Sequence, residues 1–103
     1  MAKKILIADD EPNIVASLEF LMRQKGYDVR TAGNGVEALA AVAEFRPDLM
    51  LLDVMMPQMS GYDVCQKVRA DPDGQRIRIV MLSAKGRETE VSKGLAVGAD
   101  AYV

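Results

Sequence analysis

Two apolar runs in this chain end on carboxylates. "KKILIADDEP" carries Ile5, Leu6, Ile7 and Ala8 into Asp9, Asp10 and Glu11, and "LLDVMMPQMSG" sets Asp53 behind Leu51 and Leu52 before breaking at Pro57 and Gly61. The chain has no histidine, which removes His-based triads, His-ligated zinc and the commonest general base. Chemistry then falls to carboxylates, hydroxyls, lysine and bound ions. Acids gathered from both runs would raise one another's proton affinity, and a cation among them would favour the ionised forms. An all-oxygen donor set, with no His and no nearby Cys, suits a hard ion that keeps several waters: Mg2+ before calcium or manganese. Taken singly, each acid also reads as a solvated loop residue or a helix N-cap, with Asp10 or Glu11 at the positive end of a helix starting at Pro12.

The elements that must position these acids follow from hydrophobic patterning. Lys4 to Ala8, Leu49 to Val54, Ile77 to Leu82 and the short Ala101 to Val103 are apolar runs too continuous to be buried on one face only, as in a parallel sheet between helices. Tyr27 to Ala32, "YDVRTA", alternates and reads as an edge strand. Between them lie helical patterns. Pro12 suits a first turn, with Ile14, Val15, Leu18, Leu21 and Met22 as the apolar side up to Gly26; Glu37 to Phe45, Tyr62 to Ala70 and Glu88 to Val97 follow. Strict alternation predicts a doubly wound α/β fold with a parallel five-stranded sheet in the flavodoxin-like order 2-1-3-4-5. That order sets the first and third strands side by side, so Asp9, Asp10 and Asp53 meet at the crevice beyond the strands' carboxyl ends.

Composition narrows the function classes. A chain of 103 residues, 50% hydrophobic and 27% charged, reads as one globular domain over residues 1–103. A net charge of −2 with scattered Lys and Arg gives no basic patch for nucleic acid, so no direct nucleic-acid binding is expected of it. The single Cys65 accords with a reducing compartment, and the first apolar run is too short for a signal peptide or membrane span. The expected location is cytoplasmic. Cys65 and the seven methionines read as core fillers, and "RETE" and "RADPDG" as solvated surface.

In order and spacing, "ILIADDEP", "LLDVMMPQMSG", "VMLSAK" and "GADAYV" resemble the receiver domain of two-component response regulators over the whole chain. The resemblance implies that Asp53 is a phospho-acceptor, taking a phosphoryl group from a phosphohistidine on a sensor histidine kinase or phosphotransfer protein. It implies that Asp9, Asp10, Asp53 and the backbone carbonyl of Met55 hold Mg2+. Ser83 would turn its hydroxyl toward the phosphoryl group, Ala84 would leave the approach open, and Tyr102 would be the aromatic that swings inward. Met55 and Lys85 fall at variable positions that tune phosphoryl lifetime.

The sequence departs from the family at its end. Receiver domains continue past the "AYV" strand with a lysine, usually a proline, and a fifth helix, whereas this sequence stops at Val103. The last helix is expected to be absent, Lys85 does not match the missing lysine, and coupling from phosphate to output surface is expected to be weakened. The sheet face lacking the fifth helix is expected to favour self-association. Competing readings are a magnesium-dependent aspartyl-phosphate phosphatase, an interaction-only module and a flavin-binding module. Asp9-Asp10-Glu11 fits the first poorly; intact Asp9, Asp10, Asp53 and Ser83 argue against the second while the missing lysine argues for it; and the lack of a hydroxyl-rich phosphate loop argues against the third.

Overall fold

Residues 3–82 and 98–102 are described by a computed structural model. The apolar runs form β1 (Lys4–Ala8), β3 (Leu49–Asp53), β4 (Arg78–Leu82) and β5 (Ala101–Tyr102), and the alternating run forms β2 (Asp28–Ala32). All pairings are parallel and the sheet order is β2-β1-β3-β4-β5, with β2 at an edge as its alternation predicts. The helices are α1 (Pro12–Gln24), α2 (Gly35–Phe45) and α3 (Gly61–Ala70). The helix expected over Glu88 to Val97 lies outside the described residues.

Parallel strands place alternate residues on opposite faces of the sheet. Leu6, Ala8, Met50, Leu52, Ile79 and Met81 point to one face, where Ala38 and Ala41 of α2 and Val64, Cys65 and Val68 of α3 cover them. Leu6, Met50, Leu52, Ile79 and Met81 are completely excluded from solvent, each stabilising the fold by about 1.5–3 kcal/mol. Ile5, Ile7, Val29 and Leu51 point to the other face, where Val15, Leu18 and Met22 of α1 pack. Ile14 and Leu21, expected on the same apolar side, are instead 46% and 47% exposed. Only the stripe at positions 15, 18 and 22 meets the sheet, because a 3.6-residue period turns its neighbours away.

Local chemistry sets the element ends. Pro12 opens α1, and Gly26 at φ 90° closes it, with Tyr27 N–H donating to Met22 O at 3.2 Å. Asn34 caps α2 by accepting from Glu37 N–H, while Glu37 Oε2 accepts from Gly33 N–H, both at 2.8 Å. α2 and α3 therefore start at Gly35 and Gly61, one or two residues earlier than their apolar patterns suggest. The "RADPDG" stretch is more than solvated surface. Asp71 caps a 3₁₀ turn, Pro72–Arg76, whose Gly74 is buried against the Val68 carbonyl.

Candidate metal and phosphoryl site

Register brings the acids together. Ala8 pairs with Leu52, so one step further along the two strands Asp9 stands level with Asp53. Carboxylate oxygens of Asp9, Asp10 and Asp53 all lie within 4.8 Å of one another, the arrangement expected from the strand order. The three differ in setting. Asp9 is only 4% exposed and its Oδ1 accepts from Glu11 N–H at 2.9 Å. Asp10 is exposed and Asp53 half-buried. Of the two acids read as possible N-caps, Glu11 is the N-cap residue of α1 but makes no side-chain cap bond, and its own amide is held by Asp9.

Asp53 is held by its own turn. Met55 N–H donates to Asp53 Oδ1 at 3.2 Å, fixing the carboxylate's rotation. Gly61 N–H donates to Val54 O at 2.9 Å, and a Cβ at Gly61 would run into the Asp53 carbonyl and come within 2.9 Å of Val54 Cα. Glycine here lets the start of α3 pack directly beneath Asp53. Ser60 caps α3, its hydroxyl accepting from Asp63 N–H at 3.3 Å. Between them Gln58 takes φ 71°, a left-handed conformation that favours glycine.

Electrostatics report the strain of gathering these groups. Asp53 is pushed up to about 7, first by burial and then by the charges of Asp9 and Asp10 and a carboxyl contact with Asp10, while the Met55 amide pulls the other way. Burial and, after it, the like charges of Asp9 and Asp10 oppose ionisation of Asp53, and a cation among the three carboxylates would favour the ionised form. The donor set is all oxygen and closely spaced, which fits a hard divalent ion. A shallow cavity of about 200 Å³, lined by Asp9, Asp10, Pro12, Val15, Thr31, Ala32 and Gly33, opens beside the acids. Thr31 and Gly33 carry no signal of their own in the sequence; the pairing of β2 with β1 and the bond from Asp9 N–H to Ala32 O at 3.0 Å bring the end of β2 beside the acids.

The remaining expected residues divide by location. Ser83, Ala84 and Lys85 lie outside the described residues, although Leu82, immediately before Ser83, pairs with Asp53. The Tyr102 backbone pairs with Met81 in β5. Cys65 is fully buried, and burial pushes its thiol up, consistent with a core role.

A family profile described as the response regulator receiver domain matches residues 5–103. The chain belongs to this family. Receiver domains act in phosphorylation-dependent two-component signalling. This receiver is 47% identical over 103 residues to the DNA-binding response regulator MtrA of Mycolicibacterium smegmatis, covering 100% of this chain and 44% of MtrA. It thus spans less than half the length of that relative. Among solved structures, the Vibrio cholerae chemotaxis protein CheY4 superposes with TM-score 0.95 at 32% identity, covering 100% of this chain and 86% of that one. The receiver domain of sensor histidine kinase PA1611 from Pseudomonas aeruginosa superposes with TM-score 0.90 at 27% identity, covering 100% and 84%, and holds a magnesium ion in its active-site cleft. Among the described residues no helix is long and apolar enough to cross a membrane.

Proposed function

We propose that this receiver accepts a phosphoryl group on Asp53 from the phosphohistidine of a sensor histidine kinase or phosphotransfer protein, with Mg2+ held by Asp9, Asp10, Asp53 and the Met55 carbonyl. The observation that carries this reading is the cluster of three carboxylates, oxygens within 4.8 Å, with Asp53 pushed up to about 7. When bound, the ion supplies positive charge that keeps the acids ionised and offsets charge on the phosphoryl oxygens.

The chain's own residues do the rest. Met55 N–H holds one Asp53 oxygen and leaves the other to attack phosphorus in line. The P–N bond to the donor imidazole breaks as the P–O bond to Asp53 forms, giving an acyl phosphate that water later hydrolyses. Ser83 supplies a hydroxyl to the phosphoryl group, Ala84 keeps the approach open, and Tyr102 moves inward as the hydroxyl shifts. The added charge, about −1.5 to −2, is enough to shift a loop whose conformations differ by a few kcal/mol. The domain is a signalling switch, with chemistry confined to its own Asp53, and acts in the cytoplasm.

The partner expectations change with the relatives. MtrA is described as DNA-binding and is more than twice as long as this chain, so the lack of a basic patch in residues 1–103 does not extend to a longer protein. Within such a protein the receiver would control a DNA-binding output.

Incubation with acetyl phosphate and Mg2+ tests the reading. A single acid-stable, base-labile phosphate, lost in Asp53→Asn and without Mg2+, is expected. Repeated turnover of the donor far faster than the protein-bound phosphate hydrolyses would favour a phosphatase instead.

A further inference from the structure

β5 is two residues long and sits at an edge of the sheet. So short a ladder holds its register poorly, and a slip of one residue would turn each side chain to the opposite face. Something outside the ladder must therefore set where Ala101 and Tyr102 stand. Arg69, in the last turn of α3, is placed to do so.

Its side chain is half-buried, 19% exposed, and its guanidinium reaches three separate segments. Nε donates to Gly98 O at 2.8 Å, Nη1 to Gly74 O at 2.9 Å and Ile77 O at 2.6 Å, and Nη2 to Asp100 Oδ2 at 2.8 Å. Asp100 grips the start of β4 at two points: its N–H donates to Ile79 O and its Oδ2 accepts from Ile79 N–H, both at 2.8 Å. Gly98, at φ 109°, is required on two counts, because a Cβ there would lie 2.7 Å from Arg69 Cγ. The bonds continue directly into the pairs Val80 with Ala101 and Met81 with Tyr102. Only a planar fork with several fixed donors can satisfy carbonyls arriving from three directions.

We propose that Arg69 is a positioning residue of the phosphoryl response: by clamping Gly98 and Asp100 to the 3₁₀ turn and to β4, it sets the level of Tyr102 beside the strand that leads into Ser83. The proposal rests on the reading of Tyr102 and Ser83 as response residues. Arg69 touches none of Asp9, Asp10 or Asp53, so its loss should uncouple phosphoryl uptake from the response.

The test uses the full chain and Arg69→Met, which keeps most of the aliphatic stem. Uptake from acetyl phosphate should stay within about twofold of native, as for a distant independent site. Amide exchange at Ala101 and Tyr102 should quicken about tenfold relative to the β1 and β3 amides. The shift of the Tyr102 amide on adding beryllofluoride with Mg2+ should fall below half of native. Arg69→Lys, keeping charge without the fork, should not restore it. If Arg69→Met does not fold, Asp100→Asn decides, with smaller changes in the same direction. Native exchange and a native beryllofluoride shift in the folded variants would overturn the proposal, as would uniform acceleration of every amide. If native protein takes up no phosphate, the functional reading fails, while exchange at Ala101 and Tyr102 still decides whether Arg69 positions β5.

Discussion

Gly61 lies directly under the backbone carbonyl of Asp53, with no room for a Cβ between them. The acid that ends β3 is held in place by the helix that follows it, and the contact requires the smallest residue. Gly61→Ala should force the end of β3 and the start of α3 apart. A loss of about 2 kcal/mol is expected from such overpacking, read from urea denaturation, with slower phosphoryl uptake on Asp53. Unchanged stability and uptake together would show that the turn yields without cost.

The raised proton affinity of Asp53 sets a pH dependence without divalent ions. Native Asp53 keeps its proton up to about 7, whereas the unfolded chain releases it near 3.8. Between those values the native state binds more protons than the unfolded state, so this contribution is complete below 3.8 and is lost as pH rises through about 7. Denaturation midpoints should fall across that window in native protein and fall less in Asp53→Asn. Saturating Mg2+ should oppose the fall, because metal binding prefers the ionised form. Equal slopes in both proteins would exclude Asp53 as the source.

Asp9 and Asp10 should each contribute to cation binding. Asp9→Asn can still accept from the Glu11 amide that Asp9 now holds, so folding should survive. Each single substitution should weaken Mg2+ binding by about tenfold or more by reducing ligand charge, and should lower the pKa of Asp53 by removing a like charge. Calorimetric titration reads the first effect and carboxyl NMR the second.

Gln58 occupies left-handed backbone in the turn between Asp53 and α3. Gln58→Gly relieves that conformation and should raise stability by about 0.5–1 kcal/mol, the steric cost less glycine's greater unfolded-state entropy. A decrease would mean that the Gln58 side chain makes a compensating contact.

Much of this was readable from residue types, because burial on both faces writes continuous apolar runs into strands and because acids ending two such runs are conspicuous. The sheet order and the meeting of Asp9, Asp10 and Asp53 followed from those runs. Contacts between distant segments were not readable. Arg69 looks like an ordinary surface charge at the end of a helix until Gly74, Ile77, Gly98 and Asp100 converge on it. The same holds for the 3₁₀ turn, whose reason is the packing of Gly74 on Val68. α1 showed the reverse error: its sequence offers two adjacent apolar stripes, and only packing reveals that Val15, Leu18 and Met22 are the ones used.

The most direct measurement is the position of the phosphoryl group itself. Protein treated with acetyl phosphate and Mg2+ is reduced with borohydride, which converts an aspartyl phosphate to homoserine, and then digested and sequenced by mass spectrometry. Homoserine at position 53 alone, lost when Asp9 or Asp10 is replaced by Asn, is the predicted result. Homoserine at another acid, or none under conditions where a known receiver is labelled, would contradict the account.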